Sequence, residues 1–136
     1  MLDLKEKLGT AIIMITHDLG VVAETTQRVI VMYAGRKVEE ATVEDLFSRP
    51  MHPYTRGLMQ AIPRLDTDAE EGGRRPRLQE IPGIVPTLIK PIAGCSFAPR
   101  CSFATERCRA ERPPYVDGGN GHVAACWEIE RVMEAA

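Results

Sequence analysis

Apolar residues recur along the chain in distinct rhythms, and each rhythm implies a different element. Leu2, Leu4 and Leu8 suggest the tail of an amphipathic helix, with Gly9 as its C-cap. A continuous apolar run, Ala11-Ile12-Ile13-Met14-Ile15, follows between Thr10 and Thr16. It is of strand length and apolar on both faces, which predicts an interior strand in a sheet covered on both sides. Leu19, Val22 and Ala23 then fall at helical spacing in a short helix. Arg28 to Tyr33 is rich in β-branched residues and ends at Ala34-Gly35, a turn signal from which Arg36 to Glu40 can return as the second strand of a hairpin. Thr42, three residues before Asp45, is placed to N-cap a helix through Phe47. Pro50 and Pro53 bracket a loop, after which Tyr54 to Ile62 reads as a helix stopped by Pro63.

The pattern then breaks. Arg64 to Arg77 is polar, charged and glycine-containing, with little to bury, as in a linker or exposed loop. Prolines punctuate the chain from Ile81 onward, and regular structure should be scarce over residues 81–124, with a last amphipathic helix from about Ala125. Ile81-Pro82-Gly83-Ile84-Val85-Pro86 reads as a conformationally fixed surface segment. The expected organisation is therefore an α/β portion over residues 1–63, a linker over 64–80, and a small irregular module over 81–136. Such a short, irregular module has trouble burying enough apolar surface alone, and a metal or cluster would supply the missing constraint.

Composition changes the picture in two places. The 136 residues are 44% hydrophobic and 26% charged, ordinary for a soluble protein, while a net charge near −2 and 5% aromatics exclude the electrostatic and stacking footprint of a nucleic-acid binder. No apolar run approaches the roughly 18 residues that span a bilayer. The opening residues MLDLKEKLG do not read as a signal peptide, so the four cysteines are expected in reducing cytosol, where structural disulfides are uncommon.

Those cysteines, Cys95, Cys101, Cys108 and Cys126, are spaced C-x5-C-x6-C-x17-C. Structural zinc sites usually include a short C-x2-4-C knuckle, absent here, whereas iron–sulfur ligation accepts wider loops. Arg100, Arg107 and Arg109 flank the cysteines, where positive charge would favour thiolate. An iron–sulfur cluster, a zinc ion and metal-free thiols all remain open on spacing alone. His122, four residues before Cys126, is a spare ligand if one cysteine is unused, and Trp127 should pack over the cysteine region. His52 and His122 are otherwise expected to be ordinary hydrogen-bonding or solvated loop residues. His17 directly follows the apolar strand at the start of a helix, where an imidazole either meets phosphate or simply caps and packs. Asp18 is the expected cap of that helix.

Residues 16–24, THDLGVVAE, resemble the switch-histidine loop of ABC transporter ATPases. RVIVMYAGRKVEEA and TVEDLFSRPMHPYTRGLMQAIP resemble the strand–turn–strand and helices that follow it in that family. HPYTRGLMQAIP with IPGIVPTLIKPIAGCSFAPRC narrows the resemblance to the ATP-binding subunits of oligopeptide/dipeptide importers. The resemblance implies an α/β fragment of a P-loop ATPase core followed by the family's cysteine-bearing extension, with His17 as the γ-phosphate-sensing residue. It also implies a [4Fe–4S] cluster on the four cysteines, with ATP and Mg2+ bound in the intact subunit. The implied partners are membrane permease subunits, a second ATP-binding subunit and a peptide-binding protein, with the subunit cytoplasmic and peripheral on the inner membrane.

The departures are as specific. No GxxxxGK[ST] loop, LSGGQ-type signature or Walker B acidic pair occurs in the chain. The chain is thus expected to begin just after the Walker B region and to be inactive toward ATP alone. It is also expected to self-associate through an unpaired strand at residues 11–16. The competing class is a non-enzymatic iron–sulfur or zinc-binding regulatory module.

Overall fold

Two successive left-handed residues, Ala34 (φ 48°) and Gly35 (φ 72°), make the tight turn around which the fold is organised. That combination matches the twist of a two-residue hairpin, and glycine adopts it without steric cost. In the computed structural model, which describes residues 7, 9–62, 80–89 and 91–135, the turn joins β1 (Arg28–Tyr33) to β2 (Arg36–Thr42). The pair is antiparallel, runs from Tyr33 opposite Arg36 to Arg28 opposite Thr42, and carries a bulge between Val31 and Met32.

Helices enter and leave this hairpin through caps that are legible residue by residue. The Asp18 carboxylate accepts the Gly20 and Val21 N–H groups at the start of α1 (Leu19–Thr25). Thr42 Oγ1 accepts the Asp45 N–H at the start of α2 (Val43–Ser48), where Glu44 and Asp45 also suit the positive end of the helix dipole. α3 (Pro53–Gln60) begins with Pro53, and His52 caps it through its ring nitrogen.

The proline-punctuated region contributes a 3-10 turn (Ala98–Arg100), α4 (Glu106–Ala110), two short strands, β3 (Val116–Asp117) and β4 (Val123–Ala124), and α5 (Ile129–Glu134). β4 pairs with β2 at Glu39 and Glu40, giving an antiparallel sheet of order β1-β2-β4-β3. The sheet therefore crosses the expected linker, tying the downstream module to the upstream hairpin. Arg28 and Arg49 reinforce the junction by donating to the carbonyls of Gly121 and Gly118 in the β3–β4 turn. Arg28 and Lys37 both hydrogen-bond Glu40 and hold its carboxyl below the usual carboxylate range.

The core has two centres. Tyr33, Val38 and Phe97 are buried together, with Tyr54 completing an aromatic group whose ring centroids lie 4.7–5.4 Å apart. Met51, Ala124, Cys126 and Ile129 form the second. Each cluster joins residues from before position 63 to residues after position 80.

Three expectations change. Residues 11–16 form no strand, and Ile13 and Ile15 are 91% and 98% exposed. A strand needs a partner for its N–H and C=O groups, and no described segment lies alongside to supply one. The parallel, doubly covered sheet of a P-loop core is not found among the described residues; the observed fold is a small α/β arrangement on an antiparallel sheet. The last helix starts at Ile129 rather than near Ala125. The expected helix around Leu2–Leu8 and linker at 64–77 lie outside the described residues. Among the described residues no helix is long and apolar enough to cross a membrane.

Candidate functional site

His17 sits in the connection between the extended segment and α1, exposed to solvent. The turn is fixed locally: Thr16 Oγ1 accepts the Asp18 N–H at 3.0 Å, and Asp18 caps α1. His17 is thus presented at the N-terminus of α1, where the Gly20 and Val21 N–H groups are already taken by the Asp18 carboxylate.

The four cysteines converge although they are spread over 32 positions of sequence. The Cys95 N–H donates to the Cys108 carbonyl at 2.8 Å, pinning the start of the cysteine loop to α4. The 3-10 turn then carries the chain to Cys101. Cys126 arrives from the other direction, between β4 and α5, on the sheet shared with the upstream hairpin. All four line one small cavity together with His52, Phe103 and Trp127. All four are free thiols.

Three of the sulfurs have backbone hydrogen-bond donors beside them. The Phe97 and Ala98 amides serve Cys95, the Phe103 amide serves Cys101, and the Glu128 amide lies 3.4 Å from Cys126 Sγ. Thr105 Oγ1 is 3.3 Å from Cys108 Sγ. The amide donors favour thiolate at Cys95, Cys101 and Cys126, but burial and the neighbouring sulfurs oppose it. Burial pushes the Cys101 thiol up to about 11 and Cys126 up to about 12, with the other cysteines adding to the rise, and Cys95 moves the same way. Four thiolates in one apolar cavity need a cation to be stable together.

Two of the flanking arginines are engaged by other groups. Arg100 donates to the carbonyls of Ile81 and Pro82 and to Tyr33 Oη, while Arg107 lies 3.5 Å over the Trp127 ring and pairs with Glu111. The expected electrostatic help from Arg100 and Arg107 is therefore corrected: their guanidiniums are held by other partners. Trp127 does pack at the cysteine cavity, as expected. Among the described residues no three His, Cys, Asp or Glu side chains stand close enough together to share a single metal ion.

A second cluster lies beside the cavity. Glu39 is fully buried on β2, and its carboxylate accepts the Met51 N–H at 2.6 Å and the His52 N–H at 3.0 Å. His122 Nε2 lies 2.7 Å from Glu39 Oε1, and both side chains are completely buried. His122 is therefore engaged with Glu39 rather than standing by as a spare thiol-site ligand. Its Nδ1 is buried without a partner. Nothing in the sequence singled out Glu39, since alternation along a strand places it opposite the buried Val38 and thus toward solvent. The His122 side chain, from the turn before β4, and the Met51-His52 segment close over that second face.

His52 is also buried, and desolvation alone lowers its pKa to about 4. A histidine kept neutral by folding takes up a proton more readily in the unfolded chain, whose value is near 6.5. Its contribution to stability is intact above about pH 7 and is lost as pH falls from about 6.5 to about 4, to a total of about 3 kcal/mol. Urea unfolding between pH 7.5 and about 4 should show that decline, and it should be reduced in His52→Gln; equal slopes in the two proteins would contradict the assignment.

Residues 38–108 match the family described as the oligopeptide/dipeptide transporter, C-terminal region. A probable peptide ABC transporter ATP-binding protein of Sinorhizobium fredii is 56% identical over 133 residues, covering 98% of this chain and 38% of that protein. An oligopeptide transport ATP-binding protein of Haemophilus influenzae is 50% identical over 125 residues, covering 92% of this chain and 36% of that protein. One of Bacillus subtilis is 46% identical over 130 residues, covering 96% and 38%. The chain thus spans little more than a third of the length of these relatives.

Proposed function

This chain belongs to the oligopeptide/dipeptide transporter C-terminal region family, and on that premise we propose that it supplies the switch histidine and a thiol-based metal module to an ATP-binding subunit driving peptide uptake. The reading draws support from the names of its relatives, which are peptide or oligopeptide ATP-binding proteins. In a protein of their length, His17 would help hold the γ-phosphate and the attacking water, acting by position and charge. ATP and Mg2+ would be bound chiefly by parts not contained in these residues, since the phosphate-cradling GxxxxGK[ST] loop is absent from them. The chain alone would be inactive toward ATP, and the subunit would act on the cytoplasmic side with permease components and a second ATP-binding subunit.

The observation that carries the module's role is the convergence of four hydrogen-bonded thiols on one cavity. The amide donors suit anionic sulfur, although among the described residues no three His, Cys, Asp or Glu side chains are placed to hold one metal ion. The spacing C-x5-C-x6-C-x17-C, without a short C-x2-4-C knuckle, suits a [4Fe–4S] cluster, whose separate irons each take one thiolate, better than zinc. Cys95, Cys101, Cys108 and Cys126 would hold it. The cavity, about 10 Å³, admits one water-sized sphere, so loading has to part the surrounding loops. When bound, the cluster would supply the positive charge that the buried thiolates require, and cross-link the irregular segment to the sheet.

The histidine assignment is tested in a protein of the relatives' full length. His17→Ala should lower ATP hydrolysis by about 100-fold or more while leaving nucleotide affinity within a few-fold. Unchanged hydrolysis would remove His17 from the reaction.

A further inference from the structure

We propose that Cys95 and Cys108 are an oxidative modification site: a two-electron oxidant such as hydrogen peroxide converts this pair, in preference to any other, into a disulfide. The inference deepens the thiol-module reading by naming a regulation of the same sulfurs, but its geometry stands without a metal.

Of the four cysteines, these two share a main-chain hydrogen bond, from the Cys95 N–H to the Cys108 carbonyl at 2.8 Å. That bond brings the two backbones together at these residues, and a disulfide spans Cα separations of about 4.4–6.8 Å. Gly94 makes the approach possible. A Cβ at that position would lie 2.4 Å from the Cys108 carbonyl oxygen and 2.5 Å from that of Arg109. Any side chain there would push the segment at 94–95 away from α4. Both thiols also face the same cavity.

Access and chemistry order the two steps. Cys95 is half-buried, whereas Cys108 is 6% exposed. Cys95 is therefore the sulfur that meets the oxidant first, and Cys108 waits beside it. The Cys95 sulfur attacks one peroxide oxygen; an S–O bond forms, the O–O bond breaks, and the departing hydroxide takes up the Cys95 thiol proton and leaves as water. The Cys108 sulfur then attacks the Cys95 sulfenic sulfur, forming the S–S bond, and hydroxide departs with the Cys108 proton as a second water. Two thiols and one peroxide thus yield one disulfide and two waters. The product withdraws two of the four sulfurs from metal ligation, so oxidation and metal loading exclude one another.

The test uses the complete chain, reduced and stripped of metal with a chelator, then treated with one equivalent of hydrogen peroxide and alkylated under denaturing conditions. Peptide mapping should find Cys95 joined to Cys108, with Cys101 and Cys126 alkylated, and the pairing should persist in the Cys101→Ser/Cys126→Ser double variant. A dominant Cys101–Cys126 linkage, a scrambled mixture, or four alkylated cysteines would overturn the proposal. Pre-oxidised protein should also take up far less ferrous iron and sulfide than reduced protein. A mapped Cys95–Cys108 disulfide in protein whose reduced form takes up no iron would refute the cluster reading alone, whereas iron uptake without the disulfide would refute only the present inference.

Discussion

Replacing Glu39 with alanine is expected to destabilise the protein by about 3–5 kcal/mol, a large share of the roughly 5–15 kcal/mol that holds a small domain folded. The carboxylate receives the Met51 and His52 N–H groups and faces His122 Nε2, and the site is sealed from water. Removing it leaves buried donors with no acceptor and a cavity where the side chain stood. The damage should be widespread, because Glu39 joins β2, the entrance to α3 and the β3–β4 hairpin. Glu39→Gln keeps the volume but turns an amide NH2 toward a donor, so it should also be costly. A Glu39/His122 double-mutant cycle, read by urea unfolding, should show coupling well above the few tenths of a kcal/mol typical of independent sites. Additive single effects would mean that the pair is incidental.

The second large effect concerns the thiols. Cys108→Ser removes a buried sulfur that Thr105 supports and that lies at the centre of the cysteine loop. If the four sulfurs act as one site, anaerobically reconstituted Cys108→Ser should keep less than half of the wild-type iron and lose the stabilisation that loading confers, since metal binding and folding are linked. Cys126→Ser should behave alike despite its distance in sequence, because both sulfurs face one cavity. A variant that retained its full iron content would place that cysteine outside the site.

The sequence disclosed local features well. Asp18 and Thr42 mark their helices, and Ala34-Gly35 marks its turn, because caps and turns depend on residues within three or four positions, whereas Pro53, read as a loop residue, opens its helix. It disclosed the identities of the four thiols, although their meeting depends on β4 docking against β2, a pairing of only two residues that no periodicity announces. Glu39 was illegible for the same reason. Its burial follows from what covers both faces of β2, and a strand pattern indicates one buried face at a time. The apolar run at residues 11–16 misled in the opposite sense. It has the composition of an interior strand, yet no described neighbour pairs with it, and Ile13 and Ile15 stand in solvent. Arg100 and Arg107 show that adjacency in sequence does not establish contact: both flank cysteines, and both turn to carbonyls, aromatic rings or a carboxylate instead.

The most direct measurement of the central claim is iron and acid-labile sulfide per chain, together with zinc, in protein reconstituted and kept under anaerobic conditions. The account predicts about four irons and four sulfides per chain, with a broad absorbance near about 400 nm that bleaches on exposure to air. Colourless protein carrying one zinc per chain, or reduced protein that takes up no metal, would contradict it.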